Sequence, residues 1–139
     1  MLFRSGRKQL ERLPELVRRR RALADGYVEL LGNIEGLLLP SEPEWARSNW
    51  QSYCVRLPDR VDQKSVMQEL LNQGIATRRG IMCSHRELCY ADEKPRHDLR
   101  QSELAQDRTL LVPLYTQMTE EQQVRIADAL RAALRSGDS

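Results

Sequence analysis

Residues 69–90, ELLNQGIATRRGIMCSHRELCY, join the end of a helix to a glycine, a short extended segment and a long polar loop. Upstream, Asp62 is placed to cap this helix, and Gly74 is placed to close it. We expect its inner face to hold four apolar residues: Val66, Met67, Leu70 and Leu71. Residues 75–79 then predict a short strand. Residues 80–100 show no hydrophobic periodicity, and the segment is long enough to predict a functional loop.

The chain before this stretch predicts a long helix, a loop and a strand. Apolar residues recur at three- and four-residue steps over residues 7–31, which predicts one amphipathic helix. Pro14 lies inside that stripe and predicts a kink or a fresh helix start. Residues 35–48 contain two prolines and show no hydrophobic periodicity, so we expect a loop. Residues 50–57 predict a strand that turns Tyr53 and Val55 to one face.

The chain after the stretch predicts a brief helix, a buried strand and a closing helix. Residues 102–107 favour the helix and residues 110–113 the strand. Thr119 and Gln122 form a capping box, which marks the start of the last helix. We expect four residues to form its inner face: Ile126, Ala127, Leu130 and Leu134. This order predicts an α+β fold, with a small, mostly antiparallel sheet packed by helices.

Composition and charge exclude several classes of protein. The 139 residues include 40% hydrophobic and 30% charged residues, the balance of a globular protein, and fit a single domain. The net charge of +2 is too close to neutral to predict binding to nucleic acid or to a membrane. No apolar run approaches the ~20 residues of a membrane span. Three cysteines give no disulfide framework, which favours the cytoplasm.

Two clusters have ordinary interpretations. The four arginines of residues 18–21 would point around several sides of a helix, so they do not form one phosphate-binding stripe. Thiol and imidazole groups within residues 83–97 could bind zinc: Cys83, His85, Cys89 and His97. Their spacing lacks the paired Cys-x2-Cys arms of a zinc knuckle, and buried free cysteines explain the thiols more simply. We therefore predict no metal site.

Four segments, in order, resemble the C-terminal part of the DegT/DnrJ/StrS sugar aminotransferases. In residues 69–90 the resemblance lies in a helix, a Gly-Ile-x-Thr sequence, and a loop that ends in His and, five residues later, Tyr. The other segments resemble the family's domain-linking helix, its first small-domain strand, and its last strand with the closing helix: QLERLPELVRRRRALADGYVELL at 9–31, NWQSYCVRL at 49–57 and RTLLVPLYTQMTEEQQVRIADALRAAL at 108–134.

The resemblance implies the small domain of a fold-type I aminotransferase that uses pyridoxal phosphate (PLP). Residues 7–31 would be the linking helix and residues 49–135 the α+β core, whereas residues 1–6 match nothing in the family and are expected to be foreign to it. The family's large domain holds the cofactor and its Schiff-base lysine. The lysines of this chain are Lys8, Lys64 and Lys94, and none lies in a segment resembling that site. We therefore expect the large domain to be absent and the chain alone to bind no cofactor and have no catalytic residue.

The resemblance also implies a role in the complete enzyme. It would be a homodimer that transfers an amino group to a keto-sugar nucleotide, with Arg79, His85 and Tyr90 as substrate-binding residues. A guanidinium pairs with phosphate or carboxylate, whereas imidazole and phenol bind hydroxyls. Many members carry an aromatic-Pro pattern where this chain has residues 80–84, GIMCS. Two alternatives stay open: a non-catalytic protein-interaction module and a zinc-binding adaptor.

Overall fold

The computed structural model describes residues 2–90, 92 and 96–136, with side chains from residue 6 onward. Four helices alternate with three short strands, which confirms the predicted order and the α+β fold. The elements are α1 (Leu2–Leu31), β1 (Tyr53–Arg56), α2 (Gln63–Asn72), β2 (Arg78–Arg79), α3 (Arg100–Arg108), β3 (Thr109–Val112) and α4 (Glu120–Ser136). Two single 3-10 turns, Ser84–Arg86 and Leu88–Tyr90, lie in the loop between β2 and α3.

The sheet has the order β1–β3–β2, and both pairings are antiparallel. β3 is central, so Leu110 and Val112 are buried on the inner face. Tyr53, opposite Val112, and Val55, opposite Leu110, are fully buried as predicted. Because successive side chains of a strand alternate between faces, the intervening residues, Cys54 in β1 and Leu111 in β3, belong to the outer face.

Three helices cover the inner face of the sheet. The C-terminal half of α1 and the apolar face of α4 pack together, and α4 also contacts α2. The predicted inner residues of α4 are all buried: Ile126, Ala127, Leu130 and Leu134. The rings of Tyr27 on α1 and Tyr53 on β1 lie 5.0 Å apart between their centroids, which joins the long helix to the sheet.

Capping residues fix the helix ends that the sequence predicts. Thr119 and Gln122 exchange side chain–backbone hydrogen bonds at 3.0 and 3.2 Å, which confirms the capping box. The Asp62 carboxylate accepts from the Ser65 amide at 2.9 Å, as expected of the residue before α2. Gly74 has a φ of +76°, a conformation that glycine adopts without strain, and so closes α2.

Three sequence predictions need correction. Of the two outcomes predicted for Pro14, a fresh helix start is wrong, because α1 runs unbroken through it. The surrounding residues are exposed, so water can solvate the carbonyl that Pro14 leaves without a donor. Leu71 is 55% exposed because the inward positions of α2 are Val66 and Leu70, and the next residue turns away from them. The first strand begins at Tyr53, since Trp50 has a φ of +47°, outside the extended region.

Candidate functional site

An open groove of about 930 Å³ extends along β2 and crosses the sheet to the start of β1. It is formed by β2, the end of β3 and the segment that leads into β1. Apolar side chains make much of its lining, including Met82, Leu111 and Leu114. Arg78 and Arg79 are its two cationic residues. The lining therefore combines apolar side chains with two cationic groups.

The two arginines of β2 lie on different faces of the sheet. Arg78 is opposite Leu111, which places it on the outer face, whereas Arg79 is opposite the buried Leu110. Arg79 also lines a smaller cavity of about 300 Å³ beside α2, together with Lys64. Sequence reasoning identified Arg79 and missed Arg78. Because neighbouring side chains of a strand point to opposite faces, the predicted strand already indicated that Arg78 lies on the face opposite to Arg79.

His85 lies in the 3-10 turn Ser84–Arg86, beside α3. Its Nε2 atom is 2.9 Å from the Oε1 atom of Glu103, and its side chain remains 20% exposed. Glu103 belongs to the first turn of α3. The imidazole is therefore held against a helix, with a fifth of its surface accessible to a ligand.

The segment on both sides of His85 is fixed to α3 by hydrogen bonds. The backbone amide of Cys83 donates to the Gln106 side chain at 2.5 Å. Arg86 donates to Asp107 at 2.7 Å. This hydrogen bond lowers the pKa of Asp107 below its ordinary value and raises the pKa of Arg86. The first part of the predicted functional loop is thus an ordered platform on α3.

Tyr90 ends the second 3-10 turn, Leu88–Tyr90, and is 44% exposed. Its backbone amide donates to the Glu87 carbonyl, and its hydroxyl has no hydrogen bond to any described residue. Neither Tyr90 nor His85 lines the groove of Arg78 and Arg79. The structure thus brings two arginines together and leaves His85 and Tyr90 on the loop that borders the groove through residues 80–82.

The described residues include no group of three His, Cys, Asp or Glu side chains placed to hold a metal ion. Cys83 is buried with its thiol 3.3 Å from the Ser102 carbonyl, and His85 is bound to Glu103. These contacts give no support to the zinc-binding alternative. All three cysteines are free thiols. No helix in the described part of the chain is long and apolar enough to cross a membrane.

The lysines that the structure describes do not fit a Schiff-base site. Lys8 lies on the exposed part of α1, 2.8 Å from Glu11, and Lys64 is exposed on α2. Lys94 falls outside the described residues. A Schiff-base lysine needs an enclosed pocket that lowers its affinity for a proton. The described residues show no such pocket around either lysine.

The sequence profile of the DegT/DnrJ/EryC1/StrS aminotransferase family matches residues 5–131, nearly the whole chain. The chain belongs to this family. The match covers α1, the whole sheet and most of α4. It confirms the family that residues 69–90 and the three flanking segments resemble, whose members are PLP-dependent aminotransferases.

Relatives in the family share both sequence and fold with this chain. A dTDP-4-dehydro-2,3,6-trideoxy-D-glucose 4-aminotransferase of Saccharopolyspora spinosa is 36% identical over 132 residues. The aminotransferase TlmJ from Streptoalloteichus hindustanus has a similar structure, with a TM-score of 0.83, 30% identity and 94% of this chain covered. DesV of S. venezuelae, solved with a ketimine intermediate, has a TM-score of 0.81 at 27% identity and covers 92% of this chain.

The chain spans about a third of the length of these relatives. The match to the Saccharopolyspora spinosa enzyme includes 93% of this chain but 33% of that enzyme. This chain covers 35% of TlmJ and 34% of DesV. The activity of a whole family member is therefore a proposal for this chain.

Proposed function

We propose that the chain is the substrate-side small domain of a PLP-dependent aminotransferase acting on keto-sugar nucleotides, and that it is catalytically incomplete alone. The family match over residues 5–131, at a third of the relatives' length, carries the proposal. In this assignment α1, from residue 7, links to a large domain, residues 49–135 form the small-domain core, and the complete enzyme is a cytoplasmic homodimer.

The groove and its loop supply the groups that such a substrate needs. Arg79, with Arg78 beside it in the groove, would pair with a phosphate or carboxylate group. His85 and Tyr90 would hydrogen-bond sugar hydroxyls from the bordering loop. The apolar lining, including Leu111 and Leu114, would pack against the substrate beside these polar contacts.

The large domain would provide the cofactor site. When bound there, PLP supplies the electron sink that amino-group transfer requires. This chain would bind and orient the substrate from the opposite side, and its described lysines, which are exposed, would not hold the cofactor. The division explains how a domain without a Schiff-base lysine contributes to transamination.

A chimeric enzyme tests the assignment. Residues 7–135 of this chain would replace the small domain of the Saccharopolyspora spinosa relative, and the keto-sugar nucleotide in that relative's name would be the substrate. We expect measurable transamination, which a large domain without any small domain should lack. Arg79→Ala should lower kcat/KM by about tenfold or more, the range for a charge-assisted hydrogen bond. Arg12→Ala, on exposed α1, is the matched control and should have no effect.

The outcome that contradicts the proposal is a chimera that folds and binds PLP but has no activity with a panel of keto-sugar nucleotides. Equal losses for Arg79→Ala and Arg12→Ala would remove Arg79 from the substrate site. Arg78→Ala, measured in parallel, decides whether the residue on the outer face contributes as much as its neighbour.

The isolated chain should form no saturable adduct between PLP and a lysine. The described lysines are solvent-exposed, so they should react with PLP only weakly and without a fixed stoichiometry. Titration with PLP, followed by its visible absorption, is the measurement, and Lys8→Arg and Lys64→Arg variants are the controls. A stoichiometric absorption band that disappears in one lysine variant would show that this chain holds a cofactor site of its own.

A protein-interaction module is the second candidate function. One observation favours it: the loop after β2 displays Met82 and Leu88 at 77% and 95% exposure, on a segment held to α3. Large apolar side chains on a rigid segment are typical of an interface. Leu88→Glu separates the two functions, since it should abolish binding to a partner protein under this alternative and spare transamination in the chimera under the first proposal.

A further inference from the structure

Glu103 is the one carboxylate in contact with His85 among the described residues. Its Oε1 atom is 2.9 Å from His85 Nε2, and its Oε2 atom is 3.6 Å from the Arg86 guanidinium. The Arg86 guanidinium therefore forms an ion pair with this carboxylate. A carboxylate can only accept hydrogen bonds, so Glu103 is the acceptor in its contact with His85.

The geometry determines which ring nitrogen of His85 carries the proton. An ionised carboxylate has no proton to donate, so the hydrogen bond requires N–H at Nε2. In the neutral ring Nδ1 is then an acceptor, and it has no hydrogen bond to any described residue. A ligand that reaches Nδ1 meets a nitrogen lone pair, which suits a hydroxyl donor and disfavours a carbonyl.

The surrounding contacts make this orientation stable. Cys83, two residues before His85, is bound to Gln106, and Arg86, the next residue, is bound to Asp107. All these partners lie on α3, within five residues of one another. Glu103 thus belongs to the same helix that binds the turn carrying His85. This arrangement keeps the carboxylate next to the ring.

We propose that Glu103 is a positioning residue that holds His85 in the Nε2–H form and presents Nδ1 to a substrate hydroxyl. The inference rests on the proposed function only in taking the ligand to be a sugar. It assigns to α3 a role in substrate selection through a residue that does not touch the substrate.

Nitrogen-15 NMR of the 139-residue chain tests the positioning without any substrate. The chain has two histidines, and the exposed His97 serves as an internal reference. At a pH where both rings are neutral, His85 should populate the Nε2–H form alone, with a downfield proton that exchanges slowly with solvent. Glu103→Ala should abolish that slow exchange. Glu103→Gln keeps a side-chain oxygen as acceptor and should restore most of it.

Asp107→Ala is the matched control. It removes a carboxylate from the same face of α3 and breaks the hydrogen bond to Arg86, but it leaves Glu103 beside His85. We expect the His85 proton to remain protected in this variant. A His85 ring protonated at Nδ1, or a signal equally altered by Asp107→Ala and Glu103→Ala, overturns the proposal.

Activity of the chimera separates this inference from the proposed function. His85→Ala should lower kcat/KM for the sugar substrate by roughly two- to tenfold, the range for a neutral hydrogen bond, and Glu103→Ala by no more than this, with recovery in Glu103→Gln. If His85→Ala has full activity, the substrate role of His85 is wrong and the acceptor role fails with it. If His85→Ala is impaired but Glu103→Ala is not, the substrate role stands and the positioning role is overturned.

Discussion

Two buried tyrosines differ in the hydrogen bonding of their hydroxyl groups. Tyr27 and Tyr53 are both fully buried, and their rings are in contact. The Tyr27 hydroxyl donates to the Pro113 carbonyl at 2.7 Å, whereas the Tyr53 hydroxyl has no partner among the described residues. Burial raises the pKa of Tyr53 to about 12 and also raises the pKa of Tyr27. Both side chains therefore remain neutral at physiological pH.

This difference predicts opposite outcomes for the same substitution. Tyr27→Phe should lower the free energy of unfolding by about 0.5–1.5 kcal/mol, because it removes a net hydrogen bond and leaves a carbonyl unsatisfied. Tyr53→Phe should be neutral or stabilising, because it deletes a buried hydroxyl without a partner. Urea unfolding of the two variants and the parent chain is the measurement. Equal losses would show that the Tyr53 hydroxyl has a partner, such as an ordered water.

Glu42 predicts an acid-dependent stability. Its carboxylate accepts two hydrogen bonds from Arg21, each at 2.8 Å, and one from the Ser48 amide at 2.7 Å. The Arg21 hydrogen bonds, followed by the Ser48 amide, lower its pKa from 4.5 to about 2. A lowered carboxyl pKa stabilises the folded state above the unfolded value, and this stabilisation is lost as pH falls from about 4.5 towards 2.

Glu42→Gln should therefore be less stable than the parent chain at pH 7, and the difference should shrink as pH falls below about 4.5. Denaturant midpoints measured at several pH values check this. Glu44→Gln, an exposed neighbour in the same loop, is the control and should follow the parent chain throughout. A difference between Glu42→Gln and the parent that does not change with pH would contradict the assigned ion pair.

At the scale of elements, Gly80 permits β2 to pair closely with β3. Its amide donates to the Thr109 carbonyl at 3.2 Å. A Cβ atom at this position would lie 2.7 Å from the Cys54 sulfur and closer still to the Thr109 hydroxyl. The Thr109 hydroxyl is in turn bound to the Ala105 carbonyl, so it cannot move without breaking that contact.

Gly80→Ala should consequently destabilise the chain by about 1–3 kcal/mol, the usual cost of overpacking. Gly6→Ala is the control, because nothing lies within 4 Å of a Cβ atom there and alanine favours a helix. Thermal unfolding of both variants gives the comparison. A Gly80→Ala variant as stable as the parent would mean that β2 is able to shift away from the sheet.

The elements themselves were predictable from sequence where local signals agree. The capping box of Thr119 and Gln122 and the glycine stop at Gly74 each rely on side chains a few residues apart. The predicted inner face of α2 was one residue too wide at Leu71, whereas the contact between His85 and Glu103 depends on how distant segments pack, so periodicity did not reveal it. The separation of Arg79 from His85 and Tyr90 likewise follows from the path of the loop over α3.

At the scale of the whole molecule, α1 extends beyond the core that it helps to form. Its apolar stripe is buried at Leu23, Tyr27 and Leu31 but exposed at Leu10 and Leu13, by 68% and 46%. Exposed leucines in a continuous helical stripe favour burial against another surface. In the proposed complete enzyme that surface belongs to the large domain.

The isolated chain should therefore self-associate. Replacing both Leu10 and Leu13 with Glu should shift it towards monomer, because the exposed part of the stripe becomes charged. Sedimentation velocity over a range of concentrations is the measurement. Leu88→Glu, on the loop after β2, is the comparison: an equal shift in that variant would place the self-association on the loop instead of α1.

The order of strands in the sheet also affects when the chain can fold during synthesis. β1 and β2 each pair with β3 and not with each other, and β3 is the last of the three in sequence. Until residues 109–112 have left the ribosome, both earlier strands lack their hydrogen-bonding neighbour, and Tyr53 and Val55 lack the residues that lie opposite them. The sheet consequently depends on contacts distant in sequence, which form slowly compared with helices. A nascent chain that stops before residue 109 exposes two unpaired strand edges, the kind of surface that chaperones bind and that aggregation begins from.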